Sequence, residues 1–464
     1  MNVNVSRLTA SPVATRVDPA AASNPAASPH PVPPPPGVAI AGAGVISAIG
    51  NNIAESLRSF ESGTAGMGDI TLLDTIHKGQ LPVAEVKADD QELARLAGLA
   101  TSIGGRRTTG SDIGNASTGG NSPGNAHAFP LTTSRTALLS LIAAKEALDE
   151  AAIPGIETLR TGFISANTVG GMDRTEKFME ARLSGQGNGR LREVYLHECG
   201  AVTEWVADRL GIKHYQTTIS TACSSSANSI LFAARLIRGG LLDVAIAGGA
   251  DALTKFTLNG FNSLMILDPD LCRPFDDGRA GLNLGEGAGY LVLVSEKVAA
   301  TLSCKSEVIL SGYANTNDAW HQTASSPDGR GASLAMEAAI ERSGLVPDDI
   351  DYINLHGTGT QNNDLSEGTA ISRLFGPAYP RMSSTKSFTG HTLGASGGIE
   401  AVFSVLAIRH GLVYPNLRFQ TPMAEQPLVP ETAFLKDQPI RHVLSNSFGF
   451  GGSCTSLVFS KQQR

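Results

Sequence analysis

Cysteine is scarce in this chain: Cys199, Cys223, Cys272, Cys304 and Cys454 are the five among 464 residues, and no two form a Cys-x-x-Cys pair. An odd, widely spaced set favours reduced thiols in a cytoplasmic protein over a disulfide framework or a zinc site. Long apolar runs are also missing. None approaches the ~18 to 20 residues that a membrane-spanning helix needs, so no membrane span is expected. There is no block of Lys and Arg, and the formal charge is −7, which argues against nucleic acid as the main partner. What is present is 41% hydrophobic and 17% charged residues, enough to bury a sizeable core, and a composition unlike that of a coiled coil or a disordered chain.

Two segments stand apart. Residues 1–36 are rich in Ala, Pro and Ser and end in Pro33-Pro34-Pro35-Pro36, a composition that reads as a disordered or polyproline tail. It lacks the basic and apolar regions of a secretory signal; Arg7 and Arg16, with no acid before Asp18, leave a transit-peptide reading open. Residues 101–125 are dominated by Gly, Ser, Thr and Asn and read as a long surface loop. Between them, Val38 to Ala48 reads as a buried strand entering a Gly turn. Its Gly42-Ala43-Gly44 falls short of a dinucleotide fingerprint, because Ser47 stands where the third glycine is needed.

The remainder alternates helical and strand patterns, which predicts an α/β protein with largely parallel sheets. Ser134 caps a helix whose Leu138, Leu141, Ile142 and Leu148 share a face, and a strand follows at Thr161–Ala166. The order repeats later: a helix over Ala332–Ser343, then a strand at Asp351–Leu355. A second pair of segments repeats as well. Thr218–Cys223 leads through small residues into a helix ending at Arg238, and Ser384–His391 leads through Gly394-Ala-Ser-Gly-Gly398 into a helix ending at His410. Both read as strand, tight turn, helix. The chain therefore reads as two homologous α/β halves, 38–300 and 301–462, packed together.

Cys223 carries the sharpest chemical signal. It sits where a strand gives way to a helix, among residues small enough to admit a substrate. The unpaired N–H groups of a helix N-terminus favour a thiolate and stabilise a developing oxyanion. His356 and His391 each lie at the carboxyl end of a predicted strand, where open α/β sheets place their sites. A Cys nucleophile with two His donors suits acyl-thioester chemistry.

Six motifs occur in this order: Ser220-Thr-Ala-Cys223-Ser-Ser-Ser226, Cys272-Arg-Pro-Phe-Asp276, Gly285-Glu-Gly-Ala-Gly289, His356-Gly-Thr-Gly-Thr360, Lys386-Ser-Phe-Thr-Gly-His391 and Asn446-Ser-Phe-Gly-Phe-Gly-Gly452. Together they resemble the β-ketoacyl-[acyl-carrier-protein] synthases of the Cys-His-His type, over Val38 to Phe459. The resemblance implies a thiolase-like fold, two duplicated halves forming a layered αβαβα core. It implies that Cys223 accepts an acyl group from a carrier-protein thioester, and that malonyl carrier protein then loses carbon dioxide and attacks the acyl-enzyme. His356 and His391 would bind the malonyl thioester carbonyl as neutral N–H donors.

Further roles follow from the same resemblance. Lys386 would organise the site electrostatically, with Glu400 or Asp364 as its partner. The backbone N–H groups of Cys223 and Phe450 would form the oxyanion hole, and Phe450 would act as a gate. Thr358 and Thr360 would hold the phosphopantetheine arm supplied by the acyl carrier protein, with no other cofactor and no metal. Phe261 approximately matches an aromatic of the acyl pocket, and Asp318 to Thr323 resembles a segment near the channel entrance. The acidic carrier protein needs a basic patch, for which Arg106, Arg107 and Arg135 are candidates.

The chain departs from the housekeeping fatty-acid enzymes in its tail, its 101–125 insertion and Leu282-Asn-Leu284. Thr254 to Phe261 and Gln361 to Glu367 look more like ketosynthases of aryl-polyene pigment pathways. That subgroup implies a conjugated acyl chain, with a homodimer or a heterodimer with a chain-length factor as the assembly. Two other readings share the fold: a non-catalytic chain-length-factor subunit, against which Cys223, His356 and His391 argue, and a thiolase acting on coenzyme A thioesters, whose second cysteine Cys454 does not match in its setting.

Overall fold

The computed structural model describes residues 37–99, 133–185, 191–302 and 306–462. The 1–36 tail and the 101–125 stretch with Arg106 and Arg107 lie outside the described residues. The described strands are β1 (Val38–Ser47), β2 (Thr161–Ala166), β3 (Tyr215–Ile219), β4 (Val244–Asp251), β5 (Gly287–Val294), β6 (Val308–Asn317), β7 (Tyr352–Asn354), β8 (Arg381–Ser383), β9 (His442–Phe448) and β10 (Ser453–Lys461). They form one sheet in the order β3-β2-β4-β5-β1-β6-β10-β9-β7-β8. The second five strands repeat the order of the first five in reverse. The two sets meet only where Val38 and Ala39 of β1 pair with Leu310 and Ile309 of β6.

The pairings repeat too. β2 is parallel to β3 and β4, as β7 is to β8 and β9. β5 is antiparallel to β1 and β4, as β10 is to β6 and β9. The sheet is therefore mixed, not largely parallel. Alternating helix and strand patterns foretell parallel crossovers, but β9 turns directly into β10 through Gly449–Gly452, and only an antiparallel pair can be joined so briefly.

Strand alternation separates three cores. Ala245 and Ala247 of β4, Leu291 and Leu293 of β5, Val443 of β9 and Leu457 of β10 face a central layer. That layer holds two helices, α3 (Ser225–Arg238) and α6 (Ser396–His410). Val244, Ile246, Tyr290 and Val292 face the opposite way, onto α1 (Arg135–Ala151) and α2 (Cys199–Arg209). Leu444 and Val458 face the third core with α4 (Arg330–Ser343) and α5 (Gln361–Phe375). The layers run helix, sheet, helix, sheet, helix. α6 is buried on every residue from Ser396 to Ile408, as a helix walled on both sides by sheet must be.

Gly42 and Gly44 make no turn. Both lie inside β1, and a Cβ on either would sit 2.1 Å from a backbone carbonyl of α1, Ala147 or Ala143. Their role is the close approach of helix to strand.

α1 begins as expected, with the Ser134 hydroxyl accepting from the Ala137 N–H. Arg135, however, is no surface patch. It is 9% exposed, its guanidinium grips Glu286 at 2.7 and 2.9 Å, and it donates to the Val86 carbonyl at 2.8 Å. Docking at this position is blocked by burial. Replacing Arg135 by Ala leaves the Glu286 carboxylate buried without its partner, and should cost about 3–5 kcal/mol in urea unfolding; an exposed carrier-protein contact would leave stability unchanged.

Candidate active site

β3 ends at Ile219, and the chain reverses through Ser220, Thr221 and Ala222 before α3 begins. Ala222 takes φ 51°, a left-handed conformation that costs an L-residue of order 1–2 kcal/mol. The strain is held by side chains: Ser225 Oγ accepts the Thr221 N–H at 2.8 Å, and the Ser224 hydroxyl donates to the Thr221 carbonyl at 2.8 Å, with Ser453 Oγ 2.9 Å from it. Cys223 is thereby presented two residues ahead of the helix, 5% exposed. Burial pushes its thiol up to about 11, against the Lys386 charge and the Phe450 and Cys223 N–H groups, which favour the thiolate. The sequence-based expectation of a favoured thiolate is thus outweighed by desolvation, and the resting group is a thiol.

His356 follows β7, and its loop is fastened by α5. Glu367 accepts the His356 and Gly357 N–H groups at 2.9 and 2.8 Å, and Asp364 accepts those of Thr358 and Gly359 at 3.0 and 3.2 Å. The two acids are one helical turn apart, so both face the same loop. Asp364 also accepts the Phe275 N–H at 2.8 Å. It therefore supports the site through its loop and is not the partner of Lys386. That partner is Glu400 on α6.

His391 does not end a strand. β8 stops at Ser383, and Ser384–His391 contains a short helix, Lys386–Thr389, that turns Lys386 inward. The backbone of His391 is then clasped by the segment before β5: its N–H donates to the Asn283 carbonyl at 2.7 Å, and Gly285 N–H donates to its carbonyl at 2.9 Å. The two imidazoles meet edge to face, ring centres 5.5 Å apart at 88°.

Their tautomers follow from their partners. His391 Nδ1 accepts the Leu393 N–H at 3.1 Å, with Ser396 Oγ also at 3.1 Å. His356 Nδ1 faces the Lys386 ammonium at 3.3 Å, and the same ammonium donates to the His356 carbonyl at 2.7 Å. With Nδ1 occupied as an acceptor, the proton of each ring sits on Nε2. Burial first, then the Lys386 charge, holds both rings well below the usual imidazole value of 6.5, so both are neutral donors.

Two cavities meet at Cys223. The more polar of the two, about 90 Å³, is lined by Cys223, His356, His391, Thr358 and Thr360, with Asp318 and Thr323 also on its wall. The Thr358 and Thr360 hydroxyls lie 2.9 Å apart. An apolar cavity of about 360 Å³ is lined by Phe256, Leu264, Leu393 and Val169. Cys223, Phe261 and Phe450 border both, and the two phenyl rings stack at 5.8 Å and 14° between them. Phe261 is thus a wall of the site that also packs against the apolar cluster around Leu258 and Leu282. Cys454 lines the polar cavity as well.

Residues 36–299 match the family described as "Beta-ketoacyl synthase, N-terminal domain", and residues 308–420 match "Beta-ketoacyl synthase, C-terminal domain". The chain belongs to the β-ketoacyl synthase family. It is 34% identical to 3-oxoacyl-[acyl-carrier-protein] synthase 2 of Staphylococcus aureus strain COL over 445 residues, covering 91% of this chain and 98% of that protein. It is also similar in structure to the ishigamide ketosynthase/chain length factor, with TM-score 0.81, 29% identity and coverage of 92% and 99%. A ketosynthase solved with its chain length factor from Xenorhabdus doucetiae gives TM-score 0.74, 31% identity and coverage of 92% and 98%. The fold is thiolase-like. This β-ketoacyl synthase is an acyltransferase that performs Claisen condensation in fatty acid or polyketide elongation.

Two supports escaped the sequence reading. Glu367 was discoverable from its spacing to Asp364 on a helix; Asn283 gave no local signal beyond its place in Leu282-Asn-Leu284. The Lys386–Glu400 pair is 2% exposed on both sides, and burial lifts the Glu400 carboxyl to about 7 against the pull of Lys386. Lys386→Ala leaves that carboxyl unpaired and should destabilise the ketosynthase by about 3–5 kcal/mol, read by urea unfolding. Lys386→Ala with Glu400→Gln should recover part of the loss; an equal or larger loss in the double variant would contradict the pairing.

Proposed function

We propose that Cys223 carries the growing acyl chain between two half-reactions, with carrier proteins delivering both substrates on their phosphopantetheine arms. In the first, the thiol attacks the acyl thioester; the carbonyl oxygen becomes an oxyanion between the Cys223 and Phe450 N–H groups, and the carrier thiol leaves with the thiol's proton. In the second, malonyl carrier protein loses carbon dioxide while its thioester oxygen, now an enolate, is held by the Nε2–H groups of His356 and His391. The enolate carbon attacks the acyl carbon, and the new carbon–carbon bond forms as the Cys223 sulfur leaves. A proton from solvent restores the thiol.

The observation that carries this reading is the pair of neutral imidazoles presenting Nε2–H to one cavity beside the thiol. A protonated ring would repel nothing anionic, but a second and third cation beside Lys386 are disfavoured, and a neutral donor releases the enolate more readily once it forms. Thr358 and Thr360 hold the amides of the arm, Lys386 adds to burial in keeping the rings neutral, Glu400 holds Lys386, and Asp364 holds the threonine loop. The Phe261–Phe450 stack parts to admit the acyl chain to the apolar cavity. The duplicated halves are 38–300 and 301–462, supported by the reversed strand order.

The acyl chain in this proposal is conjugated, an aryl-polyenoyl or related group, and the partner subunit is a second thiolase-like chain, either a copy of this one or a chain-length factor. The ketosynthases named with chain length factors support that assembly. Four free thiols among the described residues, Cys199, Cys223, Cys272 and Cys454, support action in the cytoplasm.

Intact mass after incubation with acyl carrier proteins tests the proposal. Wild type should gain one acyl group from the aryl-polyenoyl donor faster than from a saturated one, and Cys223→Ala should gain none. Faster transfer from the saturated donor would place the enzyme in fatty-acid elongation; a persisting adduct on Cys223→Ala would move the nucleophile elsewhere.

A further inference from the structure

The two half-reactions rest on different parts of the chain. The Cys223 turn is held by Thr221, Ser224, Ser225 and Ser453. His391 is held from the segment 282–285, and that segment is itself tied to the loop 266–272 by the Asn283 side chain and by two backbone hydrogen bonds of Leu282. Asn283 is 1% exposed, and its amide is fully used: Oδ1 accepts the Cys272 N–H at 2.7 Å, and Nδ2 donates to the Asp268 and Asp270 carbonyls at 3.0 and 2.9 Å. Its own carbonyl accepts the His391 N–H at 2.7 Å.

The flanking backbone closes the unit. Leu282 N–H donates to the Ile266 carbonyl and Asp268 N–H to the Leu282 carbonyl, both at 2.9 Å, and Ile266 and Leu282 line the polar cavity. At the far end, the Cys272 sulfur lies 3.8 Å from the Lys386 carbonyl. One amide thus braces the cavity wall beside the imidazole and reaches towards the segment that carries Lys386. An aliphatic side chain of similar size would leave one N–H and two carbonyls of that loop without their partners.

We infer that Asn283 is a positioning residue for the condensation half-reaction, fixing His391 and the 266–272 wall against each other, and that it has no part in loading Cys223. The inference rests on the division of labour proposed above.

Asn283→Val removes all three side-chain hydrogen bonds; Asn283→Asp keeps the one from Cys272 N–H and loses the two donated to Asp268 and Asp270. Acylation of Cys223 is followed by intact mass, and condensation by single turnover of pre-acylated enzyme with malonyl carrier protein. Condensation by Asn283→Val should slow by roughly 10- to 100-fold, with acylation within about twofold of wild type and Asn283→Asp between the two. Should the Val variant not fold, the Asp variant carries the comparison. Equal slowing of both half-reactions, or condensation unchanged, overturns the inference. A wild-type enzyme that acylates but does not condense contradicts the underlying reading instead, and the inference with it.

Discussion

The ammonium of Lys386 lies in the interior against Glu400, the His356 carbonyl and His356 Nδ1, and the ionisation of the site depends on it. Burial is the larger cause that keeps His356 and His391 neutral, and the buried cation adds to it by making a second positive charge nearby expensive. It also takes the Nδ1 face of His356, which leaves that ring's proton on the side of the cavity. Glu400 makes the cation tolerable in return. An ammonium with no carboxylate beside it at this depth would be an uncompensated buried charge.

The scaffold brings these groups together by using its repeat. The two central helices both start at the cavity: α3 two residues after Cys223, and α6 at Ser396, whose hydroxyl meets His391 Nδ1. One helix comes from each half of the sheet, so one half carries Cys223 and the other His356 and His391. The turn between β9 and β10 adds the Phe450 N–H to the thiol. Because the central helices are walled by sheet on both sides, their N-termini have little freedom, which holds the groups of the site in place.

Much of this was legible in the residues, and what was not has physical causes. Ser134 as a cap and β2 at Thr161–Ala166 are local signals, and the Cys223 turn announces itself by small residues between a strand and a helix. Ser384–His391 reads as the strand of a strand-turn-helix repeat, which puts His391 on a strand end; the short Lys386–Thr389 helix that stands there instead turns the buried Lys386 inward and has no periodicity to announce it. The choice between Glu400 and Asp364 as its partner could not be made by distance along the chain. Arg135 looks like a surface charge at a helix start, where a cation is disfavoured by the dipole; Glu286, far off in sequence, reverses that judgement. Asn283 works through backbone groups, and such work leaves no pattern to read.

The central claim is that two neutral imidazoles, each protonated on Nε2, face the thiol. Imidazole nitrogen chemical shifts of the ¹⁵N-histidine-labelled enzyme, assigned with His356→Asn and His391→Asn and recorded as pH is lowered from about 8 to about 6, test it directly. The account predicts unprotonated Nδ1 and protonated Nε2 for both rings, unchanged across that range, because their folded values lie well below 6.5. Either ring titrating near 6.5, or carrying its proton on Nδ1, would contradict it.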